Sequence, residues 1–324
     1  MSTDLTKIRG IGPKTAEKLI SRGIHSVEDL VTAPAEEVAS ILGCSLAKAK
    51  SIINAAKEEA LASVVEVWSG ERMKEYLEKE VQRIPTGIDK LDALLGGGFR
   101  TDAVVGVSGS SATGKTELGM TLCVNCVKHL KRPFVWIETE PATFKIGRLM
   151  EIAKARGVDV NLGKDVFVVP AKDITSPQRQ MLAYERVDKW AWERGVKPGL
   201  IVVDSFVAKI REYYSGRELL SARSKEIARH MGYLQMLSSK YNTCIYLTEQ
   251  VYGVPDTATQ LQVLARFGDV KKPYGGEFLL HAVSMHLTLV RTKGSEWMLV
   301  TDDVPGVPMT TIPFKITSRG VEGI

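Results

Sequence analysis

The chain has 324 residues, 44% of them apolar and 25% charged, enough for one globular core of more than about 200 residues with a smaller unit beside it. Its formal charge of +5, from 43 basic and 38 acidic residues, permits contact with nucleic acid without requiring it. Four cysteines, no apolar run approaching the length of a membrane helix and no basic-then-apolar leader argue against a disulfide framework or a membrane protein, and predict a soluble chain in a reducing, intracellular compartment.

Residues 1–60 read as short helical segments punctuated by Gly10, Gly12, Gly23, Pro34 and Gly43, with no strand-like run. They predict a small all-α module. Within it, Ile8-Arg9-Gly10-Ile11-Gly12-Pro13-Lys14 joins two helical patterns. Pro13 suits the first turn of the second helix, where its missing N–H costs nothing. The glycines let backbone amides approach a phosphate, as in the hairpin of a helix-hairpin-helix module that holds a DNA backbone without reading its sequence. Lys14, Lys18 and Arg22 would strengthen such a contact. A turn that only packs helices, or a protein adaptor, is the competing reading. Residues 61–83 carry alternating charges around Val64, Val65, Val67 and Trp68 and read as a linker with an apolar anchor.

From Ile84 to the end, at residue 324, β-rich runs at Ala103–Val107, Phe134–Ile137, Val166–Val169, Leu200–Val203 and Cys244–Leu247 alternate with helical patterns. This predicts an α/β domain with a mostly parallel, twisted sheet covered on both faces. Leu287–Val290 and Trp297–Val300, flanking Lys293-Gly294-Ser295, predict an antiparallel hairpin at the far end of the sheet. Cys123 and Cys126 are spaced for one face of an apolar helix and read as core residues, since no second pair of metal ligands follows.

Gly109-Ser110-Ser111-Ala112-Thr113-Gly114-Lys115-Thr116 satisfies Gly-x-x-x-x-Gly-Lys-Thr, after a strand and before a helix, where a phosphate-binding loop must lie. Amides freed by the glycines surround phosphate oxygens and the helix amino end adds positive potential. Lys115 then neutralises the outer phosphates of ATP. Thr116 gives its hydroxyl to Mg²⁺, and Asp204, ending a second apolar strand, steadies the metal through its waters. Hydrolysis needs a group that orients or deprotonates water. Glu138 and Glu140, following the strand that ends at Ile137, are both candidates, with a solvated acidic turn as the alternative.

These motifs, together with Ile201-Val-Val-Asp204-Ser205, Arg211-Glu-Tyr-Tyr214-Ser-Gly216-Arg217 and Ser221-Ala-Arg223, resemble the RadA-type recombinases of the RecA family, archaeal RadA and its eukaryotic strand-exchange counterparts. The resemblance covers nearly the whole chain. It implies a RecA-like P-loop ATPase core with a helix-hairpin-helix amino-terminal domain. It also implies strand exchange on single- and double-stranded DNA, a filament or ring, recombination mediators as partners, and a cytoplasmic, nucleoid-associated setting. It implies DNA contacts for Arg211, Tyr214 and Arg217 in a first loop, and for Lys271, Lys272, Gly275 and Gly276 at the close of a second. Gln250 would sense the terminal phosphate and His281 would couple nucleotide state to DNA. Of the two glutamates, Glu140 matches the catalytic one, and Arg148 stands where an arginine packs on adenine. Asp302 and Asp303 resemble a segment that caps a neighbour's nucleotide.

The chain departs from the family at four places. The Phe-x-x-Ala docking motif aligns with Trp68-Ser-Gly-Glu71, putting a carboxylate where a small apolar residue stands. Glu117 follows the phosphate loop in place of glutamine, and the loop interior is Ser-Ala-Thr. Pro141-Ala142 replaces a single glycine after Glu140, and the second DNA loop is a few residues longer than usual. A recombinase paralog or mediator that binds ATP and DNA without exchanging strands is the alternative that these departures keep open.

Overall fold

The computed structural model describes residues 5–63, 66–216, 218–253, 271–273, 276–291 and 297–324. The chain divides into two compact units, Met1–Glu75 and Tyr76–Ile324.

The first unit holds a 3-10 turn, Leu5–Lys7, and helices α1 (Pro13–Ile20), α2 (Val27–Thr32), α3 (Ala35–Leu42) and α4 (Leu46–Ser63). Leu19, Leu30, Val38 and Ala49 meet in its core. Pro13 sits in the first turn of α1, and Gly10, at φ +97°, takes the left-handed conformation that the reversal before it requires. A capping box starts α2: Ser26 Oγ accepts from the Asp29 amide at 3.0 Å and Asp29 accepts from the Ser26 amide at 2.9 Å. Where the sequence predicts a helix on both sides of the first glycine hairpin, the described residues before it form only the single 3-10 turn. A second turn, at left-handed Gly43, joins α3 to α4. The stretch read as a linker contains helix α5 (Gly70–Lys79), which buries none of its residues.

In the second unit β1 (Arg83–Ile84), α6 (Asp89–Leu94) and β2 (Phe99–Arg100) lead into β3 (Val104–Gly109) and α7 (Lys115–Asn125), whose last turns widen to π-helical geometry over Cys126–Leu130. There follow β4 (Phe134–Glu138), α8 (Ile146–Ala155), β5 (Val166–Val169), α9 (Pro177–Arg194), β6 (Leu200–Asp204), α10 (Ala208–Tyr213), α11 (Leu220–Tyr241) and β7 (Cys244–Glu249). The chain ends with β8 (Val251–Gly253), β9 (Lys271–Pro273), α12 (Gly276–Ala282), β10 (Met285–Arg291), β11 (Trp297–Asp303), β12 (Thr311–Thr317) and β13 (Gly320–Gly323).

The main sheet has the order β13-β12-β11-β10-β3-β7-β6-β4-β5. It is parallel from β10 to β5 and antiparallel from β10 to β13. Its central strands β3, β6 and β7 are buried throughout because both faces are covered, and their polar side chains lie at the carboxyl ends. Leu200, Val202 and Tyr246 pack with Leu118, Leu122 and Leu149 of α7 and α8. Ile201, Val203 and Ile245 pack on the other face with Tyr184, Ile227 and Leu234 of α9 and α11. Cys123 and Cys126 are fully buried free thiols.

The β10–β11 hairpin is present, but it does not end the sheet, because β12 and β13 extend it. Pro313 inside Thr311–Thr317 obscures that strand in the sequence. The structure accommodates it because β13 pairs only from Phe314 onward, so on that side β12 is still an edge at Pro313, where no N–H is needed.

Candidate functional site

The loop between β3 and α7 is built around close approaches. A side chain on Gly109 would come 2.5 Å from the Leu289 carbonyl oxygen and 2.6 Å from Thr113 Oγ1, so only glycine fits. Gly114, at φ +101°, precedes α7 and offers no side-chain cap, leaving the first amides of the helix open toward an anion. Thr113 Oγ1 donates to the Ser110 carbonyl at 2.9 Å, while Ser111 and Ala112 are exposed. Lys115 Nζ donates to the carbonyls of Gly109 and Ser110 at 2.7 and 2.8 Å. Burial lowers its pKa to about 8, against the opposing pull of Asp204 and Glu140. A desolvated ammonium held by its own loop carbonyls is matched to an incoming anion.

On the adjoining strand ends, Thr116 Oγ1 donates to Asp204 Oδ2 at 2.8 Å, and Thr248 donates to the other oxygen of the same carboxylate. Burial raises the Asp204 pKa, offset in part by these hydroxyls and by Lys115. A hydroxyl and a carboxylate paired at the mouth of the loop suit a hard cation that keeps several waters.

The two glutamates have different surroundings. Glu138 Oε1 accepts from the Phe144 amide at 3.1 Å and Oε2 from the Ala171 amide at 3.3 Å, so its carboxylate is tied into the scaffold. Both oxygens of Glu140 lie 3.1 Å from Gln250 Nε2. Glu140 and Gln250 come together from the ends of β4 and β7, 110 residues apart in the chain. Arg148 is clamped by Glu117 at 2.9 Å, by Glu151 at 2.8 Å and by the Thr317 carbonyl at 2.5 Å. Glu117 thus orients the residue that the resemblance assigns to adenine.

Of the residues with implied DNA contacts, Arg211 lies within α10, not in the loop expected over Arg211–Arg217. The burial of Ala208 and Ile210 folds that segment into a helical turn. Tyr214 follows, half-buried, with its ring edge-on to Tyr213 at 5.0 Å. Arg217, Gly275 and most of the second loop lie outside the described residues. The backbone of Lys271 and Lys272 pairs with Gly253 and Tyr252 in the β8–β9 ribbon, Gly276 opens α12, and His281 is exposed on α12. In the first unit Gly10, Gly12 and Lys14 are exposed. Trp68 is 38% exposed. Its indole N–H donates to Glu66 at 2.7 Å and the Arg72 guanidinium lies 4.6 Å from the ring centroid. Glu71 is exposed in the first turn of α5, where an acidic residue favours the helix.

The sequence reading missed a group on the far side of β3, made of the buried Glu249 and His286 and the part-exposed Asp302. The only local signal is a carboxylate, Glu249, at the end of a mostly apolar strand.

Residues 77–324 match the Rad51 family, and residues 2–58 match a SAM-like helix-hairpin-helix tandem. A DNA repair and recombination protein RadA from Cenarchaeum symbiosum (strain A) is 31% identical over 327 residues, covering 98% of this chain and 79% of its own length. The RadA of Ignicoccus hospitalis is 30% identical over 98% of this chain and 95% of its own length, and that of Methanococcus maripaludis is 30% identical over 99% of each. With a phosphate loop, a paired Thr116 and Asp204 and a parallel sheet behind them, the chain belongs to the Rad51 family of RecA-type recombinases.

Proposed function

We propose that this protein is an ATP-dependent strand-exchange recombinase that assembles on single-stranded DNA, pairs it with homologous duplex and hydrolyses ATP in response to DNA. The observation that carries the reading is the contact between Glu140 and Gln250, which joins a candidate base to the residue from which the second DNA loop departs. The loop amides of Gly109–Thr116 and the Lys115 ammonium bind and orient the phosphates of ATP. Thr116 through its hydroxyl and Asp204 through water would hold Mg²⁺, which would supply charge neutralisation at the outer phosphates. Glu140, unlike Glu138, accepts from no backbone amide among the described residues, and accepts the proton of the attacking water. Gln250 leaves Glu140 for the terminal phosphate and carries that state into the loop beyond β7.

In this reading residues 1–60 hold DNA through Gly10, Gly12 and Lys14, residues 61–83 link and dock protomers through Trp68, and residues 84–324 form the ATPase. Arg211, Tyr214, Arg217, Lys271, Lys272, Gly275 and Gly276 face the DNA, and His281 couples nucleotide state to it. Mediators of recombination are partners and the setting is cytoplasmic, at the nucleoid. The test is the rate of ATP hydrolysis with and without single-stranded DNA. A severalfold rise is expected, and a flat rate overturns the recombinase. A second reading, a paralog or mediator that regulates assembly without exchanging strands, is favoured by Glu71, an exposed carboxylate in the docking segment at the start of α5. ATPase stimulation without homologous pairing would select it.

A further inference from the structure

Glu249, the last residue of β7, has a fully buried carboxylate, and neither oxygen has a hydrogen-bond donor among the described residues. Its partner is His286 of β10, whose Nε2 lies 3.6 Å away, an ion-pair separation too long for a hydrogen bond. The other ring nitrogen, Nδ1, is 3.1 Å from Asp302 Oδ2 on β11. Asp302 also accepts from the Thr288 hydroxyl, which in turn lies 2.8 Å from Ser108 Oγ on β3.

β7 and β10 are not neighbours, since β3 runs between them. Side chains two strands apart start roughly 10 Å from each other and do not meet over an ordinary residue. Here they meet over Gly106. A Cβ at that position would lie 2.6 Å from Glu249 Oε1 and 3.1 Å from His286 Cδ2. A glycine, a buried acid and a buried histidine on three strands therefore make one built unit.

A buried carboxylate persists only when a cation answers it. Burial pulls the His286 pKa down, but the carboxylates of Asp302 and Glu249 outweigh it and push it up to about 9, so the imidazole is charged. Apolar side chains could fill the same space with equal or greater stability, so the charges call for a role in register. The two ends of the ring border the nucleotide site. Ser108 precedes Gly109 of the phosphate loop and pairs in register with Glu249, which precedes Gln250.

We propose that Glu249, His286 and Asp302 are positioning residues that fix the distance between the phosphate loop and Gln250, and thereby set how strongly the protein prefers ATP over ADP. This rests on reading Gln250 as the sensor of the terminal phosphate. The ring lies on the sheet face opposite Thr116 and touches no phosphate-binding group, so its loss acts on the sensor and leaves the common diphosphate contacts in place.

The test uses the full chain and measures dissociation constants for ADP and for a non-hydrolysable ATP analogue, with thermal midpoints alongside. Glu249→Gln is expected to reduce the preference for the ATP analogue at least fivefold while ADP affinity changes less than twofold. Glu249→Gln with His286→Gln removes both charges and is expected to regain the lost thermal midpoint without regaining the preference. An unchanged preference, equal weakening of both nucleotides, or a preference restored together with the midpoint overturns the proposal, as does a wild-type preference near one. Should Glu249→Gln fail to fold, Thr288→Val serves, because that side chain is only half-buried and its hydroxyl links Asp302 to Ser108. A twofold or greater fall in preference supports the relay and no fall overturns it. DNA-stimulated hydrolysis is scored separately on the wild type. Its absence removes the recombinase reading, while the nucleotide preference still decides the relay.

Discussion

At the scale of single residues, the proposed function assigns binding to Lys115 and turnover to Glu140. Lys115 is held by two loop carbonyls that any phosphate would outcompete. Lys115→Ala is therefore expected to abolish nucleotide binding as read by equilibrium titration. Glu140→Gln keeps the shape and the contact with Gln250, so binding persists while turnover falls about 100-fold or more; normal hydrolysis by this variant would remove Glu140 from the chemistry. His286 gives a prediction in pH. Its folded pKa, about 9, lies above the ordinary value of 6.5. Its contribution is therefore complete below about pH 6.5 and is lost as pH rises through 9, up to about 3 kcal/mol. The charged groups facing it among the described residues are Glu249 from β7 and Asp302 from β11, while β3 presents Gly106 and Ser108. Urea unfolding at pH 6.5 and 9.5 should show this loss in the wild type and not in His286→Gln. Equal pH slopes would mean that the imidazole is neutral in the folded protein.

At the scale of elements, what the sequence discloses follows from how local the cause is. The phosphate loop is legible because its chemistry needs eight consecutive residues after a strand, and the central strands are legible because burial on both faces makes them mostly apolar up to their carboxyl ends. Helix α5 is not, because Gly70–Lys79 has no buried face and the periodic signal comes from burial. The Glu249–His286–Asp302 group is also illegible, since β7 and the β10–β11 hairpin, separate in the chain, supply it and its organising residue is a glycine in the strand between β7 and β10. Gly106 can be tested against another glycine. Gly106→Ala drives a methyl into Glu249 and His286 and is expected to cost about 1–3 kcal/mol. Gly232→Ala, in the middle of α11 with open space around its Cβ, should stabilise by up to about 1 kcal/mol. Thermal midpoints moving in opposite directions would bear out this contrast, and matching shifts would sink it.

At the scale of the whole molecule, the amino-terminal unit and the ATPase unit are two bodies along one chain, and Trp68 lies in the segment that leads from one to the other. An indole that only anchored its own segment would bury its ring there. This ring is 38% exposed and is steadied at its edge by Glu66 and across its face by Arg72. Such contacts fix a side chain's orientation while leaving apolar area for a second surface. Glu71, exposed at the start of α5, stays in water unless docking buries it, and a buried carboxylate without a cation weakens a contact. Self-association through this segment is therefore expected to be weaker than an aromatic with a small apolar partner would give, and to depend on the indole. Trp68→Ala should shift the protein toward monomers in light scattering with ATP present, and Glu71→Ala should shift it toward larger assemblies. A mass distribution unchanged by both substitutions would confine Trp68 to packing within its own segment and move the search for the protomer contact elsewhere on the chain.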